Sequence, residues 1–254
     1  MGAHDTGLFP ADAIVRRVDA EGVLLLGGGR ALLMQLAHPD VAAGVADHSD
    51  FSSDPFARLR RTLDATFTIV FGTVAQAEAT AAALRSVHDR VVGPGYAAND
   101  PELLLWVHAT LIDTALRIHN RFLRPLRPDE AERYYDESMT IAEVIGIPRS
   151  AQPPDLTAFR AYVRDMVGSL EVTDTARRLA DAVLHPRLPW LAEPGLALAR
   201  ELTTGLLPRR LREQFGLGWD RNRKTALLLA AAASRQVLPR VPSFVRRAPT
   251  TLLA

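Results

Sequence analysis

Apolar residues recur at helical spacing along nearly the whole chain. In "NDPELLLWVHATLIDTALRIHNRFL", residues 99–123, a capping Asn99 or Asp100 precedes a proline and Glu102, and the apolar positions then keep a period near 3.6 to about Leu123. Comparable starts stand at "SDPFARLRRTLDATFTIVFG", "RPDEAERYYDESMTIAEVIG", "PPDLTAFRAYVRDMVGSLEV" and "VTDTARRLADAVLHP", each closed by a glycine, a proline or a turn-like break. No stretch alternates convincingly with period two, and the β-rich "TFTIVFGTV" reads as the end of the Pro55 helix running into Gly72. The pattern predicts an all-α, single-domain bundle of roughly nine or ten helices. Proline density rises after Pro239, so residues 239–254 are expected to form a surface tail.

The most unusual pattern is "LLLGGGRALLMQLAHP", residues 24–39, with three glycines ahead of an apolar run. A dinucleotide turn would need a third glycine where Leu32 stands and a preceding strand, and neither is present. The longest apolar stretch, Val23 to Ala37, is 15 residues and contains Arg30, whereas a membrane-spanning helix needs about 20. Glycines so placed let either a helix or a flat ligand approach the backbone, with a Gly-rich loop opening a helix over 30–37.

Composition narrows the chemistry. The chain of 254 residues is 48% hydrophobic and carries 30 basic against 29 acidic residues, which gives no electrostatic footprint for nucleic acid. Absent cysteine excludes disulfides, iron–sulfur clusters, thiolate-ligated haem and covalent c-type haem. Lys224 is the only lysine, and the arginine and alanine bias suggests a bacterial source. The first residues lack the charged start and apolar run of a secretory signal, so a soluble, cytoplasmic protein is expected. No Glu-x-x-His, H-E-x-x-H or G-x-S-x-G is present, which removes the usual di-iron, metalloprotease and serine-hydrolase readings.

Two features remain. His108 shares a helix face with Leu104, Leu105, Leu111, Ile112 and Ala115. An imidazole within an aliphatic stripe is either a core residue bonded to backbone or a proximal ligand to haem. In "FARLRRT", Arg58, Arg61 and Thr62 share another face, where two guanidinium groups call for an anion between them or for surface pairing with Asp54 and Asp64.

The succession from "LLLGGGRALLMQLAHPDVAAGVADHSDFSSDPFARLRRTLDATFTIVFGT" through "HDRVVGPGYAANDPELLLWVHATLID" to "LPRRLREQFGLGWD" resembles the bacterial and fungal family of latex-clearing rubber oxygenase and of the oxygenase that cleaves the farnesyl side chain of a mycophenolic acid precursor. The resemblance spans roughly residues 20–235. It implies a globin-like helical core around one haem b, with iron held by His108. "RLRRT" is similar to the family's distal R-L-x-K-T stretch: Arg58 and Thr62 match, and Arg61 stands where the rubber oxygenases have lysine. Always protonated, an arginine there cannot be a sixth iron ligand. Implied further are His38 as a second haem-side group and Gly28, Gly29 and Arg30 as cofactor contacts, with His119 too far along its helix to replace His108. The expected function is attack on an apolar, isoprenoid-like alkene using dioxygen, in which Arg58, Arg61 and Thr62 stabilise developing negative charge. The rival readings are a non-catalytic haem sensor or carrier and a haem-free lipid-binding helical protein.

Overall fold

The computed structural model describes residues 7–48, 55–186 and 190–247, with backbone alone for 55–59. It opens with α1 (Ile14–Asp19), a 3-10 turn (Gly22–Gly27), α2 (Gly28–Leu36), α3 (Pro39–His48), α4 (Pro55–Phe71) and α5 (Val74–His88). A short hairpin, β1 (Val92–Gly93) and β2 (Tyr96–Ala97), leads into α6 (Pro101–Phe122), α7 (Pro128–Ile145), α8 (Leu156–Ser169) and α9 (Asp174–Leu184). The chain continues through α10 (Glu193–Leu206), α11 (Arg209–Gln214), α12 (Arg221–Val237) and α13 (Ser243–Arg246). Ten of these thirteen helices run seven residues or more, counted among the described residues.

Local chemistry sets the boundaries. Asp100 accepts a hydrogen bond from the Glu102 amide (2.8 Å) at the start of α6, and Thr73 with Gln76 forms a reciprocal cap on α5. Gly146 ends α7 at φ 109°, a left-handed conformation that a side chain would disfavour. "TFTIVFG" closes α4 as expected. The hairpin was not expected: each strand is two residues long, too short to show alternation, and its turn depends on Gly95 at φ 86°.

α6 is the central element. It packs against α1, α2, α7, α8 and α12, and Trp106 is fully buried with its indole N–H donating to the Met34 carbonyl of α2 (3.1 Å). A second, smaller apolar cluster of Ile118, Phe122, Leu202, Leu206, Leu227 and Ala231 joins α6, α10 and α12.

The triple glycine is not a loop. Gly27 closes the 3-10 turn and Gly28 and Gly29 open α2, so the helix begins earlier than the expected 30–37. A Cβ on Gly27 would collide with Thr114 and Ile118 of α6, and one on Gly29 with Thr203 of α10. Both glycines therefore serve helix–helix approach. Arg30 sits fully buried in the same junction, paired with Asp113 (2.5 Å), donating to the Leu206 carbonyl (2.9 Å) and bonded to the Thr114 hydroxyl. It fastens α2, α6 and α10 at one point. The chain's last described stretch lies along the surface and is tied back, with Arg246 paired to Glu21 (2.9 Å) and Arg247 bridged to the Glu21 backbone.

Candidate functional site

Two adjacent cavities flank His108. The larger, about 500 Å³, lies among α3, α4, α5, α6 and α7, and the smaller, about 120 Å³, among α1, the 3-10 turn, α4, α6 and α7. Thr62, Thr66, His108, Leu111 and Ile141 line both. The larger falls in the size range of small-molecule sites, about 300–1,000 Å³.

His108 is buried, and its Nε2 lies 3.0 Å from the Ser138 carbonyl of α7. A carbonyl only accepts, so Nε2 carries the proton and the lone pair resides on Nδ1. Burial lowers the imidazole to about 4, against a smaller opposing effect of the Ser138 bond, so the ring is neutral near pH 7. This is the state a metal-binding histidine needs: one nitrogen donates to an outer partner and the other keeps its electron pair. Among the described residues no group of three or more His, Asp or Glu side chains could hold a metal ion.

The expected residues divide. His108 and Thr62 line both cavities, Gly28 the smaller and Arg61 the larger. Arg61 is solvent-exposed on its other side and makes no ion pair with Asp64. The Arg58 side chain and Asp54 lie outside the described residues. Gly29 and Arg30 line neither cavity and belong to the helix junction. His38 also lies outside both linings; its Nδ1 accepts from the Asp40 amide (3.3 Å), a cap on the first turn of α3.

Several site residues were not anticipated. Asp19, Tyr134 and Ser138 line the smaller cavity as a connected set: the Tyr134 hydroxyl donates to Asp19 Oδ1 (3.0 Å), and the Ser138 hydroxyl donates to the Tyr134 carbonyl (2.6 Å). Burial pushes the Asp19 carboxyl up to about 7, against the Tyr134 bond and with help from nearby Glu137. Asp19 and Tyr134 are 115 positions apart, so no local pattern pairs them. His48 and His88 add two more imidazoles to the larger cavity. Phe67 and Phe71 stack (5.5 Å between centroids) on the smaller cavity's wall, a pair visible in the sequence as an i, i+4 aromatic repeat.

The sequence model described as ER-bound oxygenase mpaB/B'/Rubber oxygenase, catalytic domain, matches residues 15–236. The chain belongs to that family. Within this mpaB/rubber oxygenase family the match runs from the second residue of α1 to one residue short of the end of α12. Two uncharacterized proteins, one of Mycobacterium bovis and one of Mycobacterium tuberculosis, are each 28% identical over 203 residues, 74% of this chain and 78% of theirs. No solved structure matches the chain significantly. Among the described residues no helix is long and apolar enough to cross a membrane.

Proposed function

We propose that this chain is a haem b-dependent oxygenase acting on an apolar, isoprenoid-like alkene. The observation that carries the reading is His108, neutral, bonded through Nε2–H to a backbone carbonyl and bordering an apolar cavity, in a chain of an oxygenase catalytic family. Haem would be held by His108 and, when bound, would supply the activation of dioxygen that protein side chains cannot.

The chain's own contribution is orientation, polarity and exclusion of water. Leu24, Phe67, Phe71, Leu111 and Ile112 give the smaller cavity an apolar wall suited to a hydrocarbon chain. Thr62 lines the same space, and its residue type suits a hydrogen bond to an oxygen atom that gains negative charge. Arg61, at the larger cavity, would supply positive charge for anionic groups on the cofactor or for the reacting oxygen. Asp19 holds a proton at its carboxyl up to about pH 7 and accepts from Tyr134, which keeps one polar group fixed in an apolar chamber.

Oxygen uptake by the haem-loaded protein with a polyisoprene oligomer tests the reading. Uptake coupled to carbonyl products is expected, and Thr62→Val should slow it on the order of a hundredfold while keeping side-chain shape. Haem bound without uptake for any alkene would make the chain a haem carrier, and failure to bind haem would favour a lipid-binding cavity.

A further inference from the structure

The smaller cavity combines apolar walls with one bonded pair of an acid and a phenol. Leu63, Phe67, Leu111 and Ile141 are among its lining side chains, and Asp19 and Tyr134, whose hydroxyl donates to Asp19 Oδ1 (3.0 Å), line it as well. Asp19 is half-buried, yet burial dominates its titration and pushes it up to about 7. The surface it keeps therefore faces a confined space and not bulk water.

Hydrogens in this lining are already engaged. The Ser138 hydroxyl donates to the Tyr134 carbonyl (2.6 Å), the Thr66 hydroxyl to the Thr62 carbonyl (2.8 Å) and His108 Nε2 to the Ser138 carbonyl (3.0 Å), while the Tyr134 hydroxyl serves Asp19. The acid and phenol pair leaves Asp19 Oδ2, which makes no hydrogen bond among the described residues, and the lone pairs of the Tyr134 oxygen. Glu21, the other acid of the lining, is paired with Arg246 (2.9 Å). Among the described residues no arginine or lysine lines the cavity, so an anionic head group would meet carboxyls without a cation. An ammonium would shed its water to enter a chamber in which Asp19 keeps its proton up to about 7. A hydroxyl carries no charge and both donates and accepts, so it can answer the pair in either direction.

Size limits the ligand further. An apolar cavity of about 150 Å³ admits benzene, and this one is about 120 Å³. A branched alcohol of about five carbons is of that bulk.

We propose that the smaller cavity holds the hydroxyl end of a prenyl-like alcohol, with Asp19 and Tyr134 as the pair that selects it. The prenyl character rests on the oxygenase reading above; the hydroxyl rests on the pair itself. An anchored hydroxyl restricts how the carbon chain lies beside Thr62 and His108, which line the same space.

Isothermal titration of the full chain with prenyl alcohol, prenylamine, dimethylacrylate and the hydrocarbon in which a methyl group replaces the hydroxyl tests this. The alcohol is expected to bind on the order of tenfold tighter than each of the others, because they leave the pair unanswered or confront it with a charge. The double variant Asp19→Leu, Tyr134→Phe removes both polar groups together, so neither is left alone, and unchanged circular dichroism is expected. It should prefer the hydrocarbon to the alcohol. Tyr134→Phe alone should weaken the alcohol severalfold and leave the hydrocarbon unchanged. Equal or tighter binding of any of the other three probes by the parent overturns the proposal, as does absent binding of all four. An alcohol preference kept by the double variant overturns it too. The readout is binding and not oxygen uptake, so failure here leaves the oxygenase reading standing, and a chain that selects the alcohol without consuming oxygen fails that reading alone.

Discussion

His108 and Asp19 show how burial selects protonation states around one chamber. Both are driven toward their neutral forms, the imidazole downward to about 4 and the carboxyl upward to about 7. For Asp19 the sign follows from comparison with the ordinary value of 3.8. Below about pH 4 the carboxyl is protonated in both folded and unfolded chains and makes no difference. From there to about 7 the unfolded chain ionises while the folded one keeps its proton, so this residue's contribution to stability declines as pH rises, and the cost persists above about 7. Asp19→Asn removes an ionisable group and keeps an acceptor for Tyr134. It should therefore be more stable than the parent by about 4 kcal/mol near pH 8, with the gap closing near pH 4, in urea titrations at both pH values. A gap independent of pH would show that Asp19 titrates like an exposed carboxyl. The sequence displays Asp19 only as the polar end of "IVRRVD"; its meeting with Tyr134 is made by α1 packing on α7.

Helices were the most legible level. Capping residues and prolines mark the starts of α6, α7, α8 and α9, and glycine marks the end of α7, because those signals act within one turn. The opening glycines were legible only as permission for close approach, since the approaching surface comes from other helices. Two of them face helices: Gly27 lies against Thr114 and Ile118, and Gly29 against Thr203. Gly28 between them borders the smaller cavity, as Gly27 also does. Gly27→Ala should push α6 away from the 3-10 turn and cost about 1–3 kcal/mol of stability, measured by the shift of the urea midpoint. A cost under about 0.5 kcal/mol would mean that this junction is loosely packed. Arg30, read beside these glycines as a cofactor contact, instead joins Asp113, Thr114 and Leu206, a set drawn from two distant segments that only the fold assembles.

At the scale of the whole molecule, family membership and helical class were both readable from the chain, whereas the chamber was not. A cavity is the space left where α4, α6 and α7 fail to touch, and its lining comes from side chains spread between Asp19 and Ile145. His108 was legible because a polar ring in an aliphatic stripe stands out locally. The hydrogen bond that sets its tautomer, to the Ser138 carbonyl 30 residues on, does not. Titration of haem into the folded protein, followed by Soret absorption, tests most directly the proposal that His108 holds haem. One haem per chain is expected for the parent and for His119→Ala, whose imidazole lines neither cavity. Loss of that band is expected for His108→Ala and for His108→Gln, the latter keeping bulk and a donor toward Ser138. Full haem uptake with the parental spectrum by either folded His108 variant would contradict the account.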